Sequence, residues 1–102
     1  MNHMPSSITI VCYDITNNKL RSQIDKCMKD FGIRLQFSVF LCRLDANGVK
    51  RCREKLLNLL EVYKDKKAPG DSLIIFERFN PSAADCLLGK HFMSDSAMYA
   101  IY

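Results

Sequence analysis

The stretch LQFSVFLCRL, from Leu35 to Leu44, decides how the chain folds. It is rich in aromatic and β-branched residues, which are typical of β-strands, and its length predicts two short strands joined by a kink near Gln36 to Val39. A helical pattern precedes it and another follows it, and a strand pattern lies beyond each helix. The stretch therefore predicts two consecutive strands between two helices.

The residues before this stretch predict one strand and one helix. Ile8 to Tyr13 is a continuous apolar run, which is typical of a buried strand. A helix should follow, with Asn17 or Asn18 as its N-cap and Gly32 as its stop. Its apolar face repeats at helical spacing: Leu20, Ile24, Cys27, Met28 and Phe31.

The residues after the stretch predict a second helix and a last strand. Asp45 to Gly48 turns the chain and caps the helix, which should end before the breaker Ala68 to Asp71. One face of this helix is apolar: Val49, Cys52, Leu56, Leu57, Leu60 and Tyr63. Ser72 to Phe79 (SLIIFERF) then predicts a strand.

The order strand, helix, strand, strand, helix, strand predicts an α+β, ferredoxin-like split βαβ fold, with an antiparallel sheet and both helices on one face. We expect one domain over residues 8–102, since 102 residues suit a single core, and a tail over residues 1–7. The terminal AMYAIY, residues 97–102, predicts a further strand that pairs with a second copy of the chain.

Composition favours a cytoplasmic protein that is not embedded in a membrane, because the apolar runs are far shorter than a bilayer span and no signal-peptide pattern opens the chain. The chain has 5 cysteines, an odd number, and they form no C-x-x-C pair. They are typical of small buried side chains in a reducing compartment and do not predict a zinc site.

The net charge of +4 is unevenly distributed. Between Ala46 and Lys67 the basic residues outnumber the acidic ones: Lys50, Arg51, Arg53, Lys55, Lys64, Lys66 and Lys67 against Glu54, Glu61 and Asp65. Two interpretations stand on composition alone. The stretch is either a solvated helix face or a surface that binds a polyanion.

Several motifs together resemble the CRISPR-associated protein two family. They are YDI at Tyr13 to Ile15, Arg21 in the first helix, GIRLQFSVF at Gly32 to Phe40, and DSLIIF at Asp71 to Phe76. The similarity runs from about Ile8 to Phe79. It implies a ferredoxin-like homodimer that takes part in capturing fragments of invading DNA, in a family to which metal-dependent nuclease activity on RNA or DNA has been assigned.

The resemblance also implies roles for individual residues. Asp14 would be the carboxylate ligand of Mg²⁺ or Mn²⁺, with Tyr13 beside it; Arg21 and Arg34 would lie near phosphate, and Ser38 and Phe40 would shape the central cleft of the dimer. Many members carry another arginine two residues after Arg21, whereas this chain has Gln23. From the sequence alone, Asp14 could equally shape the turn after the first strand.

One chain offers one obvious carboxylate, and magnesium usually needs one or two, so a two-fold axis near Asp14 would complete the site. Two functions then remain open. The first is a homodimer that binds double-stranded DNA fragments and bridges integrase subunits, through phosphate contacts of Arg21, Arg34, Lys50, Arg51, Arg53 and Lys55. The alternative is a stand-alone metal-dependent endonuclease, including a toxin-type endoribonuclease acting on single-stranded RNA. The sequence assigns no role to residues 80–96.

Overall fold

Within the described residues, the helices and strands follow the predicted order. The computed structural model of the chain describes residues 5–80 and 82. The elements are β1 (Ser7–Asp14), α1 (Asn18–Lys29), β2 (Gly32–Gln36), β3 (Val39–Leu44), α2 (Ala46–Val62) and β4 (Ser72–Phe76), with a 3-10 turn at Lys64–Lys66.

The strands form one sheet in the order β2-β3-β1-β4, and each neighbouring pair is antiparallel. Both helices cover the same face, because Leu20 and Ile24 of α1 and Leu56 of α2 share one buried cluster with Val11 and Phe40 of the sheet. This is the split βαβ arrangement, and the predicted ferredoxin-like α+β class is confirmed.

Helix α1 begins as predicted, but its end differs from the prediction. The side-chain oxygen of Asn17 accepts hydrogen bonds from the backbone N–H groups of Lys19 and Leu20, each at 3.0 Å, so Asn17 is the N-cap. The helix ends at Lys29, and Gly32 opens β2 instead of stopping the helix. A Cβ atom at Gly32 would lie 2.2 Å from the carbonyl oxygen of Leu41, so close strand contact explains this glycine.

The predicted kink between two short strands is present. Phe37 and Ser38 form the turn between β2 and β3, and Ser38 adopts a positive φ of 72°. Strand β4 is shorter than predicted, since it ends at Phe76 instead of Phe79. Arg78 has a positive φ of 55°, which is incompatible with a continuing strand.

Helix α2 begins after Asp45, whose carboxylate accepts a hydrogen bond from the backbone N–H of Gly48 at 2.7 Å. Val49, Cys52 and Leu56 are buried, as predicted. The predicted apolar face was one residue too wide, because 58% of Leu57 is exposed.

The sheet face without helices carries a second apolar cluster. Ile8, Ile10 and Leu41 are buried there, with Phe79 packed against them. The register of β4 on β1 sets Ile74 opposite Cys12 and Phe76 opposite Ile10, so these side chains belong to the same face, and 47% of each remains exposed. We call this surface the open face.

Among the described cysteines, Cys42 and Cys52 are buried and Cys12 and Cys27 are half-buried. Burial raises the pKa of Cys42 to about 12 and that of Cys52 to about 11, so these thiols behave as apolar side chains. Cys86, the predicted strand at 97–102 and residues 83–96 lie outside the described residues. In the described part of the chain, no helix is long and apolar enough to cross a membrane.

Candidate functional site

Strand alternation places the two residues of the Tyr-Asp motif on opposite faces of the sheet. Tyr13 is only 5% exposed and belongs to the core cluster beneath the helices. Asp14 is exposed at the end of β1, opposite Ser72 of the edge strand β4, and falls on the open face. The predicted site is therefore divided between the two faces at one end of the sheet.

On the helix-covered face, four side chains form a closed ring of contacts, which we call the Asp25 network: Tyr13, Asp25, Arg34 and Phe40. The Tyr13 hydroxyl donates a hydrogen bond to Oδ1 of Asp25, and Nη2 of Arg34 lies 3.4 Å from Oδ2 of Asp25. The Arg34 guanidinium carbon lies 5.0 Å from the centre of the Phe40 ring. The ring centroids of Phe40 and Tyr13 are 6.4 Å apart, with planes inclined by 15°.

The environment of Tyr13 keeps its hydroxyl protonated. Burial raises the pKa of Tyr13, and the hydrogen bond to Asp25 raises it further, whereas the positive charges of Arg34 and Arg21 lower it. The net effect is a pKa well above the ordinary value. Tyr13 therefore holds its proton more tightly than an ordinary tyrosine, acts as a hydrogen-bond donor and is unsuited to act as a general base.

Arg21 lies close enough to Tyr13 to influence its pKa, but its guanidinium has its own partners. Nη1 donates to the backbone carbonyl of Ile15 at 2.7 Å, and Nη2 donates to the side-chain oxygen of Asn18. The guanidinium carbon also lies 5.8 Å from the centre of the Phe37 ring, which is 73% exposed. Arg21 is therefore held at the end of β1, beside an exposed aromatic ring.

Ser38 contributes its backbone to this end of the sheet. Its carbonyl oxygen accepts a hydrogen bond from the backbone N–H of Tyr13 at 3.1 Å. Together with the positive φ of Ser38, this bond connects the β2–β3 turn to the end of β1.

Asp14 is the only one of the predicted site residues that could ligate a metal through a carboxylate. Asp71, which immediately precedes the strand residue paired with Asp14, accepts hydrogen bonds from Thr16 and from the backbone of Ala68. These bonds hold the pKa of Asp71 below its usual value. Among the residues that the structure describes, no three His, Cys, Asp or Glu side chains are grouped to hold a metal.

The predicted basic residues of α2 project to different sides of the helix. Arg53 forms an ion pair with Glu77, just beyond β4. Arg51 and Lys55 instead line a groove of about 580 Å³ between α1 and α2, and Lys55 lies 5.9 Å from the centre of the Phe31 ring. Lys50, Arg51 and Lys55 are exposed and form no ion pair with a described carboxylate.

Asp25 and Glu77 were not among the site residues predicted from the sequence. Asp25 follows Arg21 by four residues on α1, a spacing that places both on one side of the helix, but that pattern is common on solvated helices. The contacts of Asp25 join α1 to β1 and β2, so they depend on how the helix packs on the sheet.

Comparison with known proteins gives consistent matches. The family model described as CRISPR associated protein Cas2 matches residues 7–81. CRISPR-associated endoribonuclease Cas2 3 of Chloroflexus aurantiacus is 32% identical over 57 residues, which cover 56% of this chain and 61% of that protein. CRISPR-associated endonuclease Cas2 2 of Thermus thermophilus is 32% identical over 62 residues, which cover 61% of this chain and 69% of that protein.

A crystal structure of Cas2 from Streptococcus pyogenes matches with a TM-score of 0.56 and 23% identity, covering 83% of this chain and 89% of that one. At this identity the likeness shows the fold alone. The chain spans 29% and 61% of the first two curated relatives that it matches.

Proposed function

The chain belongs to the CRISPR associated protein Cas2 family, and on that premise we propose that it is a homodimeric adaptor in CRISPR spacer acquisition. It holds double-stranded DNA fragments through their phosphates and bridges the integrase subunits that perform the chemistry. The observation that carries the proposal is the set of exposed α2 cations, Lys50, Arg51 and Lys55, which have no ion-pair partner among the described carboxylates.

Phosphate contacts suit this function because they are independent of sequence. Lysine and arginine release counterions from DNA on binding, so affinity falls with salt, and fragments of arbitrary sequence are held alike. Arg53 contributes less to this surface than the sequence predicts, since Glu77 already neutralises it.

The size of the chain supports the need for flanking subunits. The radius of gyration is 14.2 Å, so a dimer about 50 to 60 Å across follows only about 15 base pairs at 3.4 Å each. Such a dimer holds the middle of a fragment, and integrase subunits are required at its ends.

The open face favours homodimerisation. Ile74 and Phe76 of β4 remain half exposed beside the buried residues of this face. An edge strand with exposed apolar side chains favours contact with another chain that would cover it. Because Asp14 lies on the same face, a two-fold axis there would bring the two Asp14 carboxylates together.

The proposal is tested by the salt dependence of duplex binding. Affinity falls as salt rises, so the slope of log affinity against log salt is negative. Replacement of Lys50, Arg51 and Lys55 by glutamine should make this slope shallower by up to about 2.7, since each phosphate contact contributes about 0.9. Affinity for a labelled DNA duplex of mixed sequence is measured by fluorescence anisotropy between about 50 and 200 mM salt.

The matched control replaces Lys64, Lys66 and Lys67, beyond the end of α2, by glutamine, which changes the net charge equally. The control should retain the wild-type slope. Equal slopes for the wild type and the α2 variant, or equal losses in both variants, would contradict an α2 binding surface.

A second function, metal-dependent endonuclease, is favoured by the exposed position of Asp14 and by the names of the two relatives described above. Asp14 fits a magnesium or manganese site as one carboxylate ligand, and a partner copy could supply the second. When bound, the metal would lower the pKa of a coordinated water. Arg21 would bind the substrate phosphate, while Tyr13, whose pKa is raised, would keep its proton and position Asp25.

A further inference from the structure

Asp25 is the one carboxylate in direct contact with an arginine at this end of the sheet, among the described residues. Its two oxygens have separate partners: Oδ1 accepts from the Tyr13 hydroxyl and Oδ2 faces Nη2 of Arg34. Because Tyr13 is buried, its hydrogen bond fixes the orientation of the carboxylate. Asp25 is thereby directed at Arg34.

We propose that Asp25 neutralises Arg34 and so limits how tightly nucleic-acid phosphates bind at the β1 end of the sheet. Asp25 would then weaken phosphate binding at this end and leave most of it to the α2 cations Lys50, Arg51 and Lys55, which have no ion-pair partner among the described carboxylates. This inference rests on the proposed nucleic-acid-binding function. Within that function, Asp25 would lower the affinity of one site, Arg34, for phosphate.

Two effects of Asp25 on Arg34 oppose each other, and the structure indicates which is larger. Asp25 could aid binding by holding the guanidinium in place, or hinder binding by cancelling its charge. Phe40 has no exposed surface and keeps its ring 5.0 Å from the guanidinium carbon, so Arg34 retains one rigid contact without Asp25. Loss of Asp25 therefore releases a full charge while it removes only part of the positioning.

The test compares three variants by anisotropy with the same labelled DNA duplex. Asp25→Asn should bind about threefold to eightfold more tightly than wild type at 0.1 M salt, with a salt slope steeper by up to about 0.9, because one more cation meets phosphate. Arg34→Gln should bind more weakly, since it leaves the Asp25 charge without a partner. The double variant D25N/R34Q should bind within about twofold of wild type, because the local charge is zero in both.

Glu61→Gln is the matched control, because it removes a carboxylate from an ion pair of the same 3.4 Å length, between Glu61 and Lys64, beyond the α2 groove. Glu61→Gln should leave the affinity for the duplex within about twofold of wild type. A higher affinity of Asp25→Asn would then result from the location of the lost charge and not from the change in net charge.

Equal or weaker binding by Asp25→Asn would overturn the proposal. So would a double variant that binds as weakly as Arg34→Gln, since Arg34 would then contact phosphate despite its pairing. The double variant carries no unpaired charge in the network, which keeps the test decisive if Asp25→Asn does not fold. A wild type without salt-dependent duplex binding would instead overturn the proposed function itself, and this inference with it.

Discussion

Replacing Tyr13 by phenylalanine tests whether the Asp25 network exists as described. The change removes only the hydroxyl that donates to Asp25. A hydrogen bond to a charged group contributes about 1.5–3 kcal/mol, and the partly buried Asp25 carboxylate loses a donor, so the free energy of unfolding at pH 8 should fall by about 2 kcal/mol. The fold should survive, because the ring still packs against Phe40.

The pH dependence of this loss has a definite sign. The pKa of Tyr13 is raised in the folded state, so the unfolded chain loses the proton first, and the contribution of the hydroxyl is fully present below pH of about 10 and decreases above it. At pH 11 the unfolded phenol is about ten-elevenths ionised, which lowers the stability of the wild type by about 1.4 kcal/mol relative to Tyr13→Phe. The difference between the two proteins should therefore shrink from about 2 to about 0.6 kcal/mol.

Urea unfolding followed by circular dichroism at pH 8 and pH 11, with a reductant present, measures this difference. The raised pKa values of Cys42 and Cys52 also reduce stability at high pH, but they act equally on both proteins and cancel in the comparison. Phe40→Leu, which removes no titratable group, is the control and should show the same loss at both pH values. A Tyr13→Phe difference that does not change with pH would refute the raised pKa.

Two further variants test the remaining proposals. Asp14→Asn should abolish any divalent-metal-dependent cleavage of RNA or DNA while the thermal unfolding midpoint changes little, because Asp14 is exposed; full cleavage by the variant would place the chemistry elsewhere. Under the adaptor function the same variant should leave spacer acquisition in cells intact. Deletion of Met98 to Tyr102, the end of the predicted exchanged strand, should weaken the homodimer in sedimentation velocity, and an equally stable dimer would disprove strand exchange.

Features set by neighbouring residues were predictable, and those set by packing were not. Asn17 and Asp45 cap their helices through backbone groups two or three residues away, so a short sequence pattern suffices to locate them. The exposure of Leu57 depends on how far the sheet and α1 cover α2, which no local pattern encodes.

The same distinction applies to the candidate site. Asp14 could be identified from the sequence as a carboxylate that ends an apolar strand, and the fold shows that it is exposed. The pairing of Arg34 with Asp25 joins β2 to α1, and the pairing of Arg53 with Glu77 joins α2 to the residues after β4. Both pairs depend on tertiary contacts, so cations for which no local pattern predicts a partner are partly neutralised in the fold.

The position of Asp14 also constrains how this chain could act as a nuclease. Arg34 lies opposite Phe40 in the sheet register and so shares the helix-covered face, whereas Asp14 belongs to the open face. A phosphate bound near Asp14 on the open face would be separated from the Arg34 of the same chain by the thickness of the sheet. Cleavage would thus depend on Arg21 at the strand end or on groups from a second copy, whereas phosphate binding by α2 needs neither, and this difference favours the adaptor over the stand-alone nuclease.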